Sequence, residues 1–423
     1  MKVFKFGGGV LKISSDFFQL FNILNEYKDD NLIIVVSALN KVTNKFENLL
    51  NAYFSENKFN EELFNIIKSF HFNLAEELFP ADYLTEINQK LSDIFREIIH
   101  IFSEPLSNNY HFEYDRIVSY GEILSSALIF EFLKSKGLNC QNKDIRKIII
   151  TDSVHKEAEI NWDKTTNIIN QEFSDDTLQL YVTQGFIASD IKGYTTTLGR
   201  EGSDFTASVL AYAVNSEEVI FWKETDGIYN ADPAKTDDFV LLPKLSYKES
   251  LEQTFYGAKI LHPKTIKPLQ NKKIPIFVKS FYEADKRGTQ ITDISKFSKD
   301  YYPGTPIFII KDNQILISVS TLDFSFISEG NLGNIFTLLS EYRIKVNLMQ
   351  SSAISFSLCV TNNKYKIPFF IETLKKQFKV LYNNNLQLVT IRHYTTEAIN
   401  KSIKDREILL SQLSRRTARY VLK

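Results

Sequence analysis

Four short stretches of this 423-residue chain carry residue types that could do chemistry. The first is Lys5-Phe6-Gly7-Gly8-Gly9, which closes a short apolar run. Glycines at a strand end let backbone N–H groups approach a phosphate, and a lysine adds a mobile positive charge. No Gly-Lys-Ser/Thr follows at the spacing of a Walker A loop, and a plain tight turn is the alternative. The second stretch is TTTLGREGSD (195–204), where Gly199 and Gly202 flank Arg200 and Ser203-Asp204 stand where a helix begins. Either residue could simply cap that helix. The same helix start would also face anions, and Arg200 can grip a carboxylate through two parallel bonds. The third is WKETDGIYNADP (222–233), in which Lys223-Glu224 ends an apolar strand and a turn at Asp226-Gly227 leads to Tyr229. An ordinary turn with solvated charges is the alternative there. The fourth, GAKILHPK (257–264), puts Lys259 and His262 near a helix end, where the histidine reads as a capping or packing residue.

These groups need elements to hold them. Residues 2–6 read as a strand, and apolar positions then recur at helical spacing through Phe17, Phe18, Leu20, Phe21 and Leu24. The continuous apolar run at 32–38 suits a strand buried on both faces of a parallel sheet. From Lys45 to about Ser103 the pattern predicts two or three amphipathic helices with a break near Pro80. Strand-like pieces at 147–151, 179–183, 218–222 and 274–278 alternate with helical stretches such as 122–135 and 203–214. That alternation predicts an α/β domain with a mostly parallel sheet over 1–290. In such a sheet ligands bind at the carboxyl ends of the strands, which is where 222–233 falls.

The stretch 285–306 is charged and turn-prone and reads as a linker. Beyond it, segments at 314–320, 332–342, 345–349, 354–360, 367–378 and 386–392 follow in the order βαββαβ, a small ferredoxin-like module. Residues 393–423 are too few for a second complete copy.

Composition narrows the classes. Hydrophobic residues make up 43% and charged residues 24%, an ordinary globular balance. With 50 Lys+Arg against 51 Asp+Glu there is no global pull towards nucleic acid or an anionic membrane. No apolar run near the start is long enough to span a bilayer or to form a secretory core ahead of the first strand. Cys140 and Cys359 suggest no disulfide framework, and six scattered histidines offer no metal cage. A cytoplasmic protein is the expectation.

Taken in order, KFGGG, VVSALNKVTN, VSYGEILSS, TQGFIASD, TTTLGREGSDFTA, ETDGIYNADP and FYGAKILHP resemble the aspartokinases of the amino-acid kinase superfamily across about 1–280. The C-terminal part resembles that family's regulatory ACT domains. The resemblance implies a three-layer α/β/α catalytic domain (1–290) and an ACT-like region at 305–423. One full module would span about 313–384, and a shortened second module would use 305–311 and 386–423. It implies transfer of the γ-phosphoryl of Mg·ATP to the side-chain carboxylate of L-aspartate, on the route to lysine, threonine and methionine. The acceptor carboxylate is already a nucleophile, so such a site positions two anions and neutralises their charge.

Carried over by motif, Lys5 and Asp204 are the catalytic pair, with Gly7, Gly8 and Ser37 on the phosphate side. Thr43, Glu122, Phe186, Arg200 and Ser203 would form the aspartate pocket, Glu122 taking the amino group and Arg200 the α-carboxylate. Lys223, Glu224, Tyr229 and Lys259 would line the nucleotide pocket. Mg²⁺ arrives with ATP and is assigned no protein ligand. A homodimer and an amino-acid effector at the ACT region are implied as well, with feedback reduced or absent because the second module is short. No fused homoserine dehydrogenase is expected.

Some positions depart from the family pattern. Gly9 and Val10 stand where a hydroxyl residue is usual, Lys223-Glu224 where Thr-Asp is usual, and Ala234 where an arginine commonly follows ADP. Losing one hydrogen bond to a charged phosphate costs about 1.5–3 kcal/mol, roughly tenfold to a hundredfold. Two other readings are therefore carried: a kinase for another small acceptor such as glutamate, carbamate or a nucleotide, and a catalytically weak sensor on the same fold.

Overall fold

The computed structural model describes residues 1–423 apart from 175–179, 259, 294–303 and 324. Contacts divide the chain into two compact units. The first comprises Met1–Ile228, Leu241–Leu251 and Lys259–Tyr301, and the second Tyr229–Val240, Glu252–Ala258 and Tyr302–Lys423.

In chain order the elements as far as Thr292 begin with β1 (Lys2–Phe6), α1 (Ser14–Glu26), β2 (Leu32–Val36), α2 (Val42–Glu56), α3 (Glu61–Leu78) and α4 (Ala81–Phe102). Then come α5 (Tyr110–Val118), α6 (Tyr120–Ser135), β3 (Cys140–Lys143), β4 (Ile150–Thr151) and α7 (Trp162–Glu172). Next are β5 (Leu180–Gln184), β6 (Ile187–Asp190), β7 (Thr195–Thr197), α8 (Gly202–Ala213) and β8 (Val219–Lys223). The series closes with β9 (Lys244–Ser246), α9 (Tyr247–Tyr256), α10 (Pro263–Asn271), β10 (Ile276–Ser280) and β11 (Thr289–Thr292).

The main sheet has the order β3-β5-β2-β1-β8-β10-β11-β9. Its first six strands are mutually parallel, and β11 returns antiparallel to β10. β2 is buried at all five positions, as its unbroken aliphatic run requires when helices cover both faces. Side chains alternate across β1. Phe4 and Phe6 join the large apolar core with residues of α1 and α6, while Lys5 turns to the opposite face and meets α8. The result is the three-layer α/β/α arrangement. The strand expected at 147–151 is reduced to the two-residue β4, in a small sheet ordered β4-β6-β7, because residues 145–147 wind into a 3₁₀ turn. The polar edge strand β3 carried no apolar signal: its middle residues are exposed.

The second unit adds β12 (Ile307–Ser320), α11 (Glu329–Glu341), β13 (Val346–Ser351), β14 (Ser355–Thr361), α12 (Ile367–Lys375), β15 (Lys379–Arg392), α13 (Thr396–Ile403), β16 (Ile408–Leu413) and β17 (Thr417–Leu422). They form one antiparallel sheet ordered β13-β14-β12-β15-β17-β16. β12 and β15 are each 14 residues long, with an irregular pairing between Lys311 and Leu316. Beyond that irregularity, α11 and α12 pack on Ile315, Ile317 and Val319 to complete a βαββαβ module. Before it, α13 packs on Val389, Ile391, Ala418 and Tyr420. The last 38 residues described thus include one helix and the β16–β17 hairpin, with the halves of two long strands shared between the two ends of the sheet.

Candidate active site

The parallel register brings the ends of β5, β2, β1 and β8 to one edge: Val36 lies opposite Gln184 and Phe6, and Phe6 opposite Trp222. The segments that leave this edge carry Gly7, Gly8, Ser37, Phe186 and Glu224, as expected for the carboxyl ends of strands in an open α/β sheet, whereas Arg200, Ser203 and Asp204 follow β7 and Glu122 stands on α6.

Lys5 is buried and its Nζ lies 2.7 Å from Asp204 Oδ1. Lys223 Nζ donates to the other oxygen, Asp204 Oδ2, also at 2.7 Å. Asp204 sits in the first turn of α8, where the exposed N–H groups favour a negative charge. Burial opposes that charge, but Lys223 and Lys5 outweigh it and hold the Asp204 carboxyl well below the usual carboxylate range. Two lysines on one carboxylate leave a net positive centre at the edge of the sheet.

The glycine loop approaches closely. A Cβ on Gly8 would stand 2.1 Å from the Ala38 carbonyl oxygen, so the two loops touch backbone to backbone and only glycine fits. A Cβ on Gly7 would stand 3.4 Å from Lys5 Nζ, and one on Gly9 3.4 Å from the Glu224 carboxylate. Glu224 pairs in turn with Lys12, a residue that sequence reading passed over because it stands outside the motif. Ser37 donates its backbone N–H to the Phe6 carbonyl at 3.2 Å, which seats it beside β1.

Ala38 connects the two halves of the site. Its N–H donates to Glu122 Oε1 at 3.4 Å, and Thr43 Oγ1 donates to the same oxygen at 3.3 Å. Glu122 is buried in the first turn of α6, and its second oxygen, Oε2, has no hydrogen-bond partner. Burial pushes the Glu122 carboxyl up to about 8, against the opposing Ala38 and Thr43 bonds and the charge of Lys5. Gly121, next to it, lets α6 approach: a Cβ there would meet the Ala38 methyl at 3.0 Å. Ala38 and Gly121 have no functional groups of their own, so no side-chain chemistry could mark them in the sequence.

The remaining residues gather at the start of α8. Phe186 has φ of +69°, a left-handed conformation that is costly for a bulky residue and is over-determined here. Its N–H donates to Thr206 Oγ1 at 3.0 Å, and its carbonyl accepts from the Leu198 N–H at 2.9 Å. A Cβ on Gly202 would collide with the Phe186 ring, and one on Gly185 with Ser203. Phe186 and Ser203 therefore sit in one tight corner, while Arg200, three residues before Ser203, is exposed in the turn that follows β7. No hydrogen bond or ion pair holds the Arg200 side chain among the described residues. Tyr229 belongs to the second unit, where its ring meets Phe239 edge-on at 4.9 Å. Lys259 lies outside the described residues. Among the described residues, no group of three His, Cys, Asp or Glu side chains is placed to hold a metal ion. No described helix is long and apolar enough to cross a membrane.

The site thus combines a positive edge rich in glycine with a buried carboxyl group that has one oxygen unpaired. The family model described as the amino acid kinase family matches residues 1–280. Lysine-sensitive aspartokinase 3 of Escherichia coli is 30% identical over 333 residues, covering 77% of this chain and 71% of that protein. The chloroplastic bifunctional aspartokinase/homoserine dehydrogenase 2 of Arabidopsis thaliana is 26% identical over 388 residues, covering 89% of this chain. This chain spans only 42% of that relative's length. The crystal structure of E. coli aspartokinase III with aspartate and ADP superposes with a TM-score of 0.80 at 24% identity, covering 100% of this chain and 96% of that one. The chain belongs to the amino acid kinase family, on its aspartokinase branch.

Proposed function

We propose that the protein is an aspartate kinase, transferring the γ-phosphoryl group of Mg·ATP to the side-chain carboxylate of L-aspartate. The observation that carries this reading is the pairing of Asp204 with Lys5 and Lys223 beside Glu122, whose Oε2 is buried and unpartnered. A phosphorylated acceptor needs positive charge where three anionic groups meet, and an amino acid needs a buried carboxylate for its ammonium.

In this reading the nucleotide phosphates lie over Gly7 and Gly8, with Ser37 beside them. Lys5 neutralises charge on the phosphoryl group in flight, and Asp204 holds Lys5 and Lys223 in place. Mg²⁺ enters on the phosphates, which suits a site whose carboxylate is already engaged by two lysines. Glu122 and Thr43 bind the ammonium end of aspartate, Arg200 and Ser203 its α-carboxylate, and Phe186 walls the pocket. The side-chain carboxylate attacks in line, so no general base is required. Lys223, Glu224 and Lys259 bind the rest of the nucleotide. The Gly9-Val10 and Ala234 positions weaken ATP binding relative to a site with a hydroxyl and an arginine there.

The test is ADP release with Mg·ATP and, in turn, L-aspartate, L-glutamate, bicarbonate with ammonia, and UMP, with hydroxylamine present to trap an acyl phosphate as its hydroxamate. Hydroxamate with L-aspartate alone is the expected result. Turnover with another acceptor reassigns the substrate, and saturable binding without turnover makes the protein a sensor.

A further inference from the structure

Asp115, on α5, is fully buried and takes no part in the site described above. Its carboxylate nevertheless ties two other segments to α5. Thr197 Oγ1 donates to Oδ1 at 2.6 Å. The Lys156 N–H donates to both oxygens, at 3.1 and 2.9 Å. His155 Nδ1 lies 3.0 Å from Oδ2. Such a group is costly to bury: burial raises its pKa from the usual carboxylate value, and four short contacts from outside its own helix oppose that rise.

Each contact leads towards Arg200. Thr197 is the last residue of β7, and only Leu198 and Gly199 separate it from Arg200. The Thr197 carbonyl accepts from the Ala158 N–H at 3.0 Å, which ties β7 to the 152–158 loop. That loop is the wall behind Gly199: a Cβ on Gly199, whose φ is +75°, would meet Glu157 Cγ at 3.2 Å and the Lys156 carbonyl oxygen at 3.4 Å. Lys156 itself is left-handed, with φ of +76°, a backbone form that the forked hydrogen bond from its N–H to both Asp115 oxygens helps to hold. Leu198, in between, donates to the Phe186 carbonyl. One buried carboxylate therefore sets both the strand that delivers Arg200 and the loop against which its turn rests.

We infer that Asp115 is a positioning residue for the substrate-carboxylate grip, acting through Thr197 and Lys156 to fix the Gly199–Arg200 turn. The inference rests on the reading of Arg200 as the group that binds the α-carboxylate of the acceptor. Arg200 has no side-chain partner of its own among the described residues, so its placement depends on its backbone, and its backbone depends on Asp115.

The test is steady-state kinetics with both substrates varied, on the full chain. Asp115→Asn keeps the volume and removes the charge. It should raise the KM for the amino acid about tenfold and leave the KM for ATP within about twofold. In an Arg200→Ala background the same change should have almost no further effect, because the grip it positions is gone. Thr197→Val should mimic Asp115→Asn, and Thr197→Ser, which keeps the hydroxyl, should restore the parent value. This pair decides the matter should Asp115→Asn fold poorly. Equal losses for both substrates, or an undiminished effect in the Arg200→Ala background, would overturn the inference. If Arg200→Ala itself left the amino-acid KM unchanged, the reading of the site would be what fails.

Discussion

At the scale of single residues, the site is governed by which charges are paired. Asp204 is paired twice, and Glu122 is left with an unpartnered oxygen. Removing Lys5 or Asp204 takes away a preorganised electrostatic group, so Lys5→Ala and Asp204→Ala should each lower kcat by at least about a hundredfold. Near-normal turnover in either variant removes that residue from the mechanism. Glu122 predicts a pH effect whose sign follows from its environment. With its carboxyl pushed up to about 8 by burial, much of the unliganded protein carries it protonated at pH 7. Only the ionised form pairs with an ammonium group, so binding of L-aspartate should tighten as pH rises from 7 to 9. Calorimetric titration across that range checks this, and Glu122→Gln should flatten the profile. A flat profile in the parent would mean that Glu122 is already ionised or does not meet the ammonium.

At the scale of elements, the helices α3 and α4 illustrate a different use of burial. His71 on α3 is fully buried, its Nδ1–H donating to the Ile67 carbonyl at 2.8 Å, with the rings of Phe70 and Phe95 against it. Burial pulls its pKa down to about 4, so it is neutral in the folded chain, whereas an exposed histidine titrates near 6.5. The unfolded chain therefore binds the extra proton first. Stability is complete above pH 6.5 and falls as pH drops towards 4, by about 3 kcal/mol at most. Thermal melts at pH 7.5 and 5 should show this loss, and His71→Leu should reduce the difference between them. An equal pH dependence in that variant would assign the loss to other groups.

At the scale of the whole molecule, the second unit combines a βαββαβ module with a set of strands served by α13 alone. The E. coli relative is lysine-sensitive by name. With one end of the shared sheet short of a helix, feedback by lysine or threonine should be weak or absent here, and the chain should run as a dimer. Activity measured against each amino acid, with light scattering on the same sample, tests both statements. Clear inhibition below millimolar effector would show that the α13 end needs no second helix for control.

Most of the candidate site residues were legible in the sequence because charge and glycine leave marks that spacing preserves. Lys5, Gly7, Gly8, Arg200 and Asp204 stand in short stretches where polar and glycine residues follow an apolar strand, whereas Glu122, at the start of a helix, was named only through the family resemblance. The alternation of strands and helices was legible for the same reason: period and burial are properties of neighbouring residues. What only the tertiary structure decided is which of these stretches meet. The fold brings Lys223 and Lys5, on adjacent parallel strands, to the Asp204 carboxylate across about 200 residues of chain, and the Ala38 backbone joins the glycine loop to Glu122. Asp115 shows the same limit most plainly. Its partners at 155, 156 and 197 are distant in sequence, and a lone aspartate on a helix announces nothing until folding withdraws it from water and supplies its four contacts.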